Sequence, residues 1–123
     1  MQKSRIGLAA AVVTLAAVVS GDQAAAPAET SLRGEVVDLH CYVTRGARGP
    51  EHAGCANACL GRGVTPAFVA EDGRLFLLLA ERPVSVKDAV AGLAGETVVA
   101  RGVVHERDGV RALQLKAVEK LGR

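Results

Sequence analysis

Three cysteines and one histidine lie close together in this chain, at Cys41, His52, Cys55 and Cys59, and they include every cysteine of the sequence. In a helix of 3.6 residues per turn, the steps from His52 to Cys55 and to Cys59 rotate by about 300° and about 340°. The three side chains would therefore point the same way. Cys41 precedes them across a short Gly-rich loop that can fold back to face them. Three thiols and an imidazole converging from two elements predict a four-ligand Cys3His metal site.

The donor atoms narrow the choice of metal. Thiolate and imidazole suit Zn(II), Cu(I) or, less well, an iron–sulfur centre, and they argue against Ca(II) and Mg(II). A thiol pair at positions i and i+4, such as Cys55 and Cys59, also supplies the two soft ligands with which Cu(I) is satisfied. Four protein ligands would leave no open coordination position. We therefore expect metal handling or structural stabilisation rather than catalysis, and we predict no catalytic residue.

The same residues leave two other interpretations open. In an oxidising compartment, a disulfide from Cys41 to Cys55 or to Cys59 would give a stapled interaction module that binds no metal. A thiol redox protein resembling the Cys-x-x-x-Cys copper-delivery proteins is the third hypothesis. The other two histidines are expected away from the site. His40 should lie on the opposite face of its strand from Cys41, and His105 should be an exposed strand residue.

The first residues have the pattern of an export signal. Two basic residues precede an apolar run over 6–19, and small residues follow it as far as Ala28. We therefore predict a signal peptide over 1–28 and a periplasmic or secreted domain over 29–123. The apolar run is shorter than the ~20 residues that cross a membrane, so no stable membrane span is expected after cleavage.

Composition excludes some classes of partner. The chain has a formal net charge of +2, and Lys3, Arg5 and Asp22 together account for +1 of it, so the predicted domain carries +1. Such a weak charge gives no electrostatic reason to expect binding to nucleic acid or to an acidic membrane. One Tyr, two Phe and no Trp are also too few for a surface that stacks bases. Besides a metal ion, the sequence identifies no partner, and a protein partner is left open.

The pattern of apolar residues and turns predicts a small β-barrel. Alternation of apolar and polar residues indicates strands, Asp-Gly pairs indicate hairpin turns, and Pro, Ser and Gly mark the helix ends. The predicted elements are a strand over 32–42, hairpins over 67–80 and 97–119, and helices over 50–63 and 85–94. This order predicts a mainly β fold, a five-stranded OB-like barrel with a Cys/His insertion over 41–63 and a second short helix.

The stretch from Cys41 to Pro66 resembles a group of small exported bacterial proteins of uncharacterised activity. Their shared pattern is Cys-Tyr, a Gly-rich loop, His-x-x-Cys-Ala-x-x-Cys and a closing Gly-x-Pro. This chain departs from the last part, because Thr65 precedes the proline and two residues separate Gly63 from Pro66. The matching residues are Cys41, Tyr42, Gly46, Gly49, His52, Cys55, Ala56, Cys59, Gly63 and Pro66. The stretch 95–121 resembles the closing hairpin of bacterial periplasmic OB-fold proteins. These resemblances imply a fold and a site, without an established activity.

Overall fold

The computed structural model describes residues 27–81 and 83–122, so the predicted signal peptide lies outside the described residues except for its last two. Five strands and a few short helices make up this described part. In chain order they are β1 (Glu29–Asp38), α1 (Leu39–Arg45), a 3-10 turn (Pro50–His52), α2 (Ala53–Gly61), β2 (Pro66–Ala70), β3 (Leu75–Ala80), α3 (Val86–Ala89), β4 (Thr97–Arg107) and β5 (Val110–Lys120). None of these helices is long and apolar enough to cross a membrane.

The five strands close into a barrel in the order β1-β2-β3-β5-β4, with β4 pairing back onto β1. Neighbouring strands are antiparallel except β3 and β5, which are parallel. The strand β1 closes the barrel, because its first half pairs with β4 and its second half pairs with β2. The predicted OB-like barrel is confirmed, with both hairpins and with α3 between β3 and β4.

The barrel interior and one side of α2 share a single hydrophobic core. The barrel supplies Val36, Phe68, Ala70, Phe76, Leu78, Val98, Ala100, Leu113 and Leu115. Ala56 and Leu60 of α2 are buried in the same cluster. Full burial of a side chain the size of leucine contributes about 1.5–3 kcal/mol. The apolar side of α2 is thus held on the barrel, while Cys55 on another side of the helix is exposed.

The first strand begins and ends earlier than predicted, and its earlier end changes the setting of Cys41. The predicted strand over 32–42 ends at Asp38, and Cys41 lies in the helix α1 rather than at the end of a strand. Asp38 is the N-cap of α1, because its side chain accepts a hydrogen bond from the backbone N–H of Cys41. The predicted loop begins only after Arg45, where Gly46 takes a left-handed conformation and ends the helix.

The second predicted helix is also shorter. The expected span 85–94 contains only the single turn α3, and the side chain of Ser85 makes no capping hydrogen bond. The reason lies further along the chain, where Val90 and Ala94 are fully buried and Ala94 forms a parallel bridge to Val36. Turns at 90–92 and a single bridge from Ala94 to β1 therefore replace the rest of the expected helix.

Polar contacts attach α2 to this bridge segment. The side-chain amide of Asn57 donates to the carbonyl oxygen of Ala94 at 3.1 Å and accepts from its N–H at 3.2 Å. The N–H of Gly95 donates to the carbonyl oxygen of Val36 at 3.2 Å. The segment at Ala94 and Gly95 thus lies between α2 and β1, and it fixes where the inserted helix sits.

A matched pair of glycine substitutions tests this attachment. At Gly95, φ is 80° and an added Cβ would lie 2.5 Å from the Cβ of Ala53 and 2.8 Å from the carbonyl oxygen of Gly49. We expect Gly95→Ala to lower the free energy of unfolding in urea by about 2 kcal/mol or more. Gly54→Ala, in the first turn of α2 with open space around it, should leave it unchanged or raise it by up to about 1 kcal/mol. Equal stability of the two variants would contradict this description.

Candidate metal centre

The position of Cys41 is set by α1, which begins at the end of the barrel strand β1. Asp38 is in an extended conformation, with φ −77° and ψ 126°, and its Oδ1 accepts the N–H of Cys41 at 2.7 Å. This bond satisfies one of the amide groups left without partners at a helix start. Cys41 is the buried residue of the helix, with 4% of its surface exposed. Its thiol therefore faces the protein rather than the solvent.

The position of His52 and Cys55 is set by the second helical segment. Pro50 begins it as a 3-10 turn, a position where proline is favourable because its missing N–H would be unpaired there in any case. The buried carboxylate of Glu35 accepts a hydrogen bond from the N–H of Gly49, just before that proline. The barrel strand thus also holds the start of this segment.

These two segments bring three ligand groups together. One ligand atom each from Cys41, His52 and Cys55 lies within 4.8 Å of the others, which is close enough to hold a metal ion. Around a tetrahedral zinc ion with bonds of about 2.0–2.3 Å, neighbouring ligand atoms are separated by roughly 3.3–3.8 Å. Closing the site requires movements on the order of 1 Å, which side-chain rotations supply.

A buried carboxylate lies behind the histidine. Oδ2 of Asp38 is 3.3 Å from Nε2 of His52, and Asp38 is only 1% exposed. Burial by itself raises the pKa of this carboxyl, but hydrogen bonds from Cys41 and His52 outweigh it, and the pKa lies below its ordinary value. A charged acceptor at Nε2 favours the tautomer with the proton there, and the lone pair of Nδ1 is then available to a metal.

An arginine lies on the sulfur of the buried cysteine. Nη2 of Arg45, the last residue of α1, is 2.7 Å from Sγ of Cys41. This hydrogen bond, followed by attraction to Cys41, Cys55 and Asp38, raises the pKa of the guanidinium further above its ordinary value. Arg45 thus places a permanent positive charge at the edge of the group.

Cys59 lies beside the group of three but is not a member of it. It is one helical turn beyond Cys55, and Nη2 of Arg62 is 3.6 Å from its Sγ. The pKa of the Cys55 thiol is raised, first by partial desolvation and then by the neighbouring Cys59, Cys41 and Asp38. Cys59 as the fourth metal ligand therefore stays a prediction, while its proximity to Cys55 is part of the site.

The other two histidines are exposed and do not belong to the group of three. His105 is exposed on β4, with Nε2 3.0 Å from Oε1 of Gln114, as expected for a strand residue. His40 is exposed too, but on α1 rather than on a strand.

Sequence reasoning missed Asp38 and Arg45 as parts of the site. The signal for Asp38 was its place three residues before Cys41, which is the spacing of a helix cap.

Two thiols and an imidazole form a soft, nitrogen- and sulfur-rich donor set. Such a set suits zinc(II) or copper(I), and it is unsuited to the hard ions calcium and magnesium, which take oxygen ligands. The carboxylate behind the histidine is the arrangement that metal-binding histidines commonly have.

Comparison with known proteins adds no assignment. The chain matches no protein-family model, no curated protein and no solved structure. Its function is therefore to be sought in the chemistry of Cys41, His52 and Cys55, and in the residues that hold them.

Proposed function

We propose that this domain binds one transition-metal ion, zinc(II) or copper(I), through Cys41, His52 and Cys55. The observation that carries the proposal is the convergence of two thiols and an imidazole to within 4.8 Å from two helical segments. The buried Asp38 beside His52 supports it, because a metal-binding histidine usually donates its other N–H to a carboxylate or carbonyl.

The exposure of the site favours metal handling over a purely structural metal. Structural zinc sites are closed by four protein ligands, whereas sites that exchange ligands keep a position open. Here Cys55 is exposed, and Cys59 lies beside it as a second thiol, which can take over the ion as it leaves the site. We propose export to the periplasm or exterior, and a protein partner for the transfer, on the sequence features alone. The resemblance to small exported bacterial proteins is also part of this proposal, and it too rests on the sequence alone.

Metal titration of the purified protein, reduced and free of metal-binding tags, tests the proposal. We expect one equivalent of zinc(II) or of copper(I) per chain in competition with a chromophoric chelator. Cys55→Ser should weaken the affinity by more than the 10–100-fold that loss of an outer-shell partner costs, because it removes a ligand. Cys59→Ser separates this three-ligand site from the Cys3His site predicted from the sequence: it should keep one equivalent of metal at little-changed affinity if Cys59 is not a ligand.

The result that contradicts the proposal combines this titration with a thiol count on protein isolated without reductant. A protein that takes up no zinc or copper in the titration, and that has one free thiol per chain in the count, would be the disulfide-stapled module instead. Three free thiols per chain are expected if the cysteines are metal ligands.

A second test addresses the carboxylate behind the histidine. In Asp38→Asn, the amide oxygen can still accept the N–H of Cys41, so the cap of α1 is kept. The amide N–H groups, however, now face Nε2 of His52, which must accept and therefore carries its proton on Nδ1. We expect the zinc affinity to fall by about 10–100-fold, while the stability without metal changes by no more than about 1 kcal/mol.

The control for this variant is Asp72→Asn, which alters an exposed aspartate paired with Arg74. It should leave the zinc affinity unchanged. Equal zinc affinities for the wild type and Asp38→Asn would show that Asp38 does not orient the histidine for metal binding.

A further inference from the structure

We propose that the metal held by Cys41, His52 and Cys55 takes its fourth ligand from solution, a small thiol that carries a carboxylate, and that Arg45 binds this carboxylate. The inference rests on the proposed metal function and adds to it the class of ligand from which the ion arrives or to which it leaves. The thiol supplies a soft donor to the metal, and the carboxylate supplies the charge that Arg45 recognises.

The proposed metal site has an open position. Three protein ligands leave one corner of a tetrahedral site empty. Cys41 is buried and His52 is half-buried, whereas Cys55 is exposed, so the empty corner faces the solvent on the side of Cys55. A metal that selects thiolate and imidazole prefers another soft ligand there, and a thiolate meets this requirement.

Arg45 lies within reach of a ligand bound at this position. Nη2 of Arg45 is 2.7 Å from Sγ of Cys41, and a metal–sulfur bond is about 2.3 Å long. The guanidinium nitrogen is therefore at most about 5 Å from the metal position. A carboxylate one carbon away from a metal-bound sulfur falls within reach of that nitrogen. The planar guanidinium also matches a carboxylate in shape and can bind both of its oxygens.

Arg45 also supplies the charge that acts on this position. A divalent metal with two thiolates and a neutral imidazole is neutral as a unit. Asp38 and Glu51 add two negative charges around the site, and Arg45 and Arg62 add two positive charges, so these four groups balance. The guanidinium of Arg45 is within about 5 Å of the metal position, and it favours an anionic ligand there over an uncharged one of equal softness.

Cobalt(II), whose visible bands report its ligands, is the probe for a test on the full chain. Thioglycolate and 2-mercaptoethanol are titrated in turn, and bound cobalt is checked after gel filtration. The measured quantity is the ratio of the two apparent dissociation constants. We expect thioglycolate to bind more tightly to the wild type, and Arg45→Gln to reduce this preference by about tenfold, the size of one charge-assisted hydrogen bond. Arg101→Gln, which alters an exposed arginine paired with Glu119, should leave the preference unchanged.

The possible failures are distinguishable. Absence of cobalt uptake would contradict the proposed metal function itself. Cobalt that is bound but whose bands respond to neither thiol, or respond only in Cys59→Ser, would overturn the inference, because the fourth position would then belong to the protein. An equal preference for thioglycolate in the wild type and in Arg45→Gln would overturn the role of the arginine.

Discussion

The carboxylate of Asp38 is shared between the barrel and the candidate metal centre. One oxygen accepts the N–H of Cys41 and so begins α1, while the other lies 3.3 Å from Nε2 of His52. A fully buried charge is costly unless it is hydrogen-bonded, and these two contacts keep the carboxyl ionised despite its burial. Because Asp38 is the last residue of β1, the position of two of the three ligand groups depends on where that barrel strand stops.

The rest of the fold holds the second ligand-bearing segment against the first. Glu35, also on β1, accepts the N–H of Gly49 before the 3-10 turn, and Asn57 bonds both backbone groups of Ala94. Leu60 buries the inner side of α2 in the core. A closed barrel thus provides a rigid wall on which a short insertion positions soft ligands at the surface. Cys55 therefore stays accessible at the surface, as the proposed metal exchange requires.

Features that depend only on local sequence patterns could be predicted from the sequence. The Asp-Gly turns and the alternating strands predicted both hairpins and the barrel, and helical spacing predicted that His52 and Cys55 share a face. The end of β1 was misplaced, because Leu39 and Cys41 continue the alternation of the strand and only the cap formed by Asp38 stops it. The second helix was overextended because the pairing of Ala94 with Val36 is a long-range contact. The contact of Arg45 with Cys41 depends on α1, which was not predicted, so spacing could not reveal it.

X-ray absorption at the zinc edge, on protein loaded with one equivalent of zinc in buffer free of added thiols, tests the central claim most directly. The account predicts two sulfur neighbours at about 2.3 Å and at least one nitrogen at about 2.0–2.1 Å, with a light atom from water completing the shell. A shell with three sulfur neighbours would contradict the account, because Cys59 would then be a resident ligand. A shell of nitrogen and oxygen alone would show that the cysteines do not bind the metal.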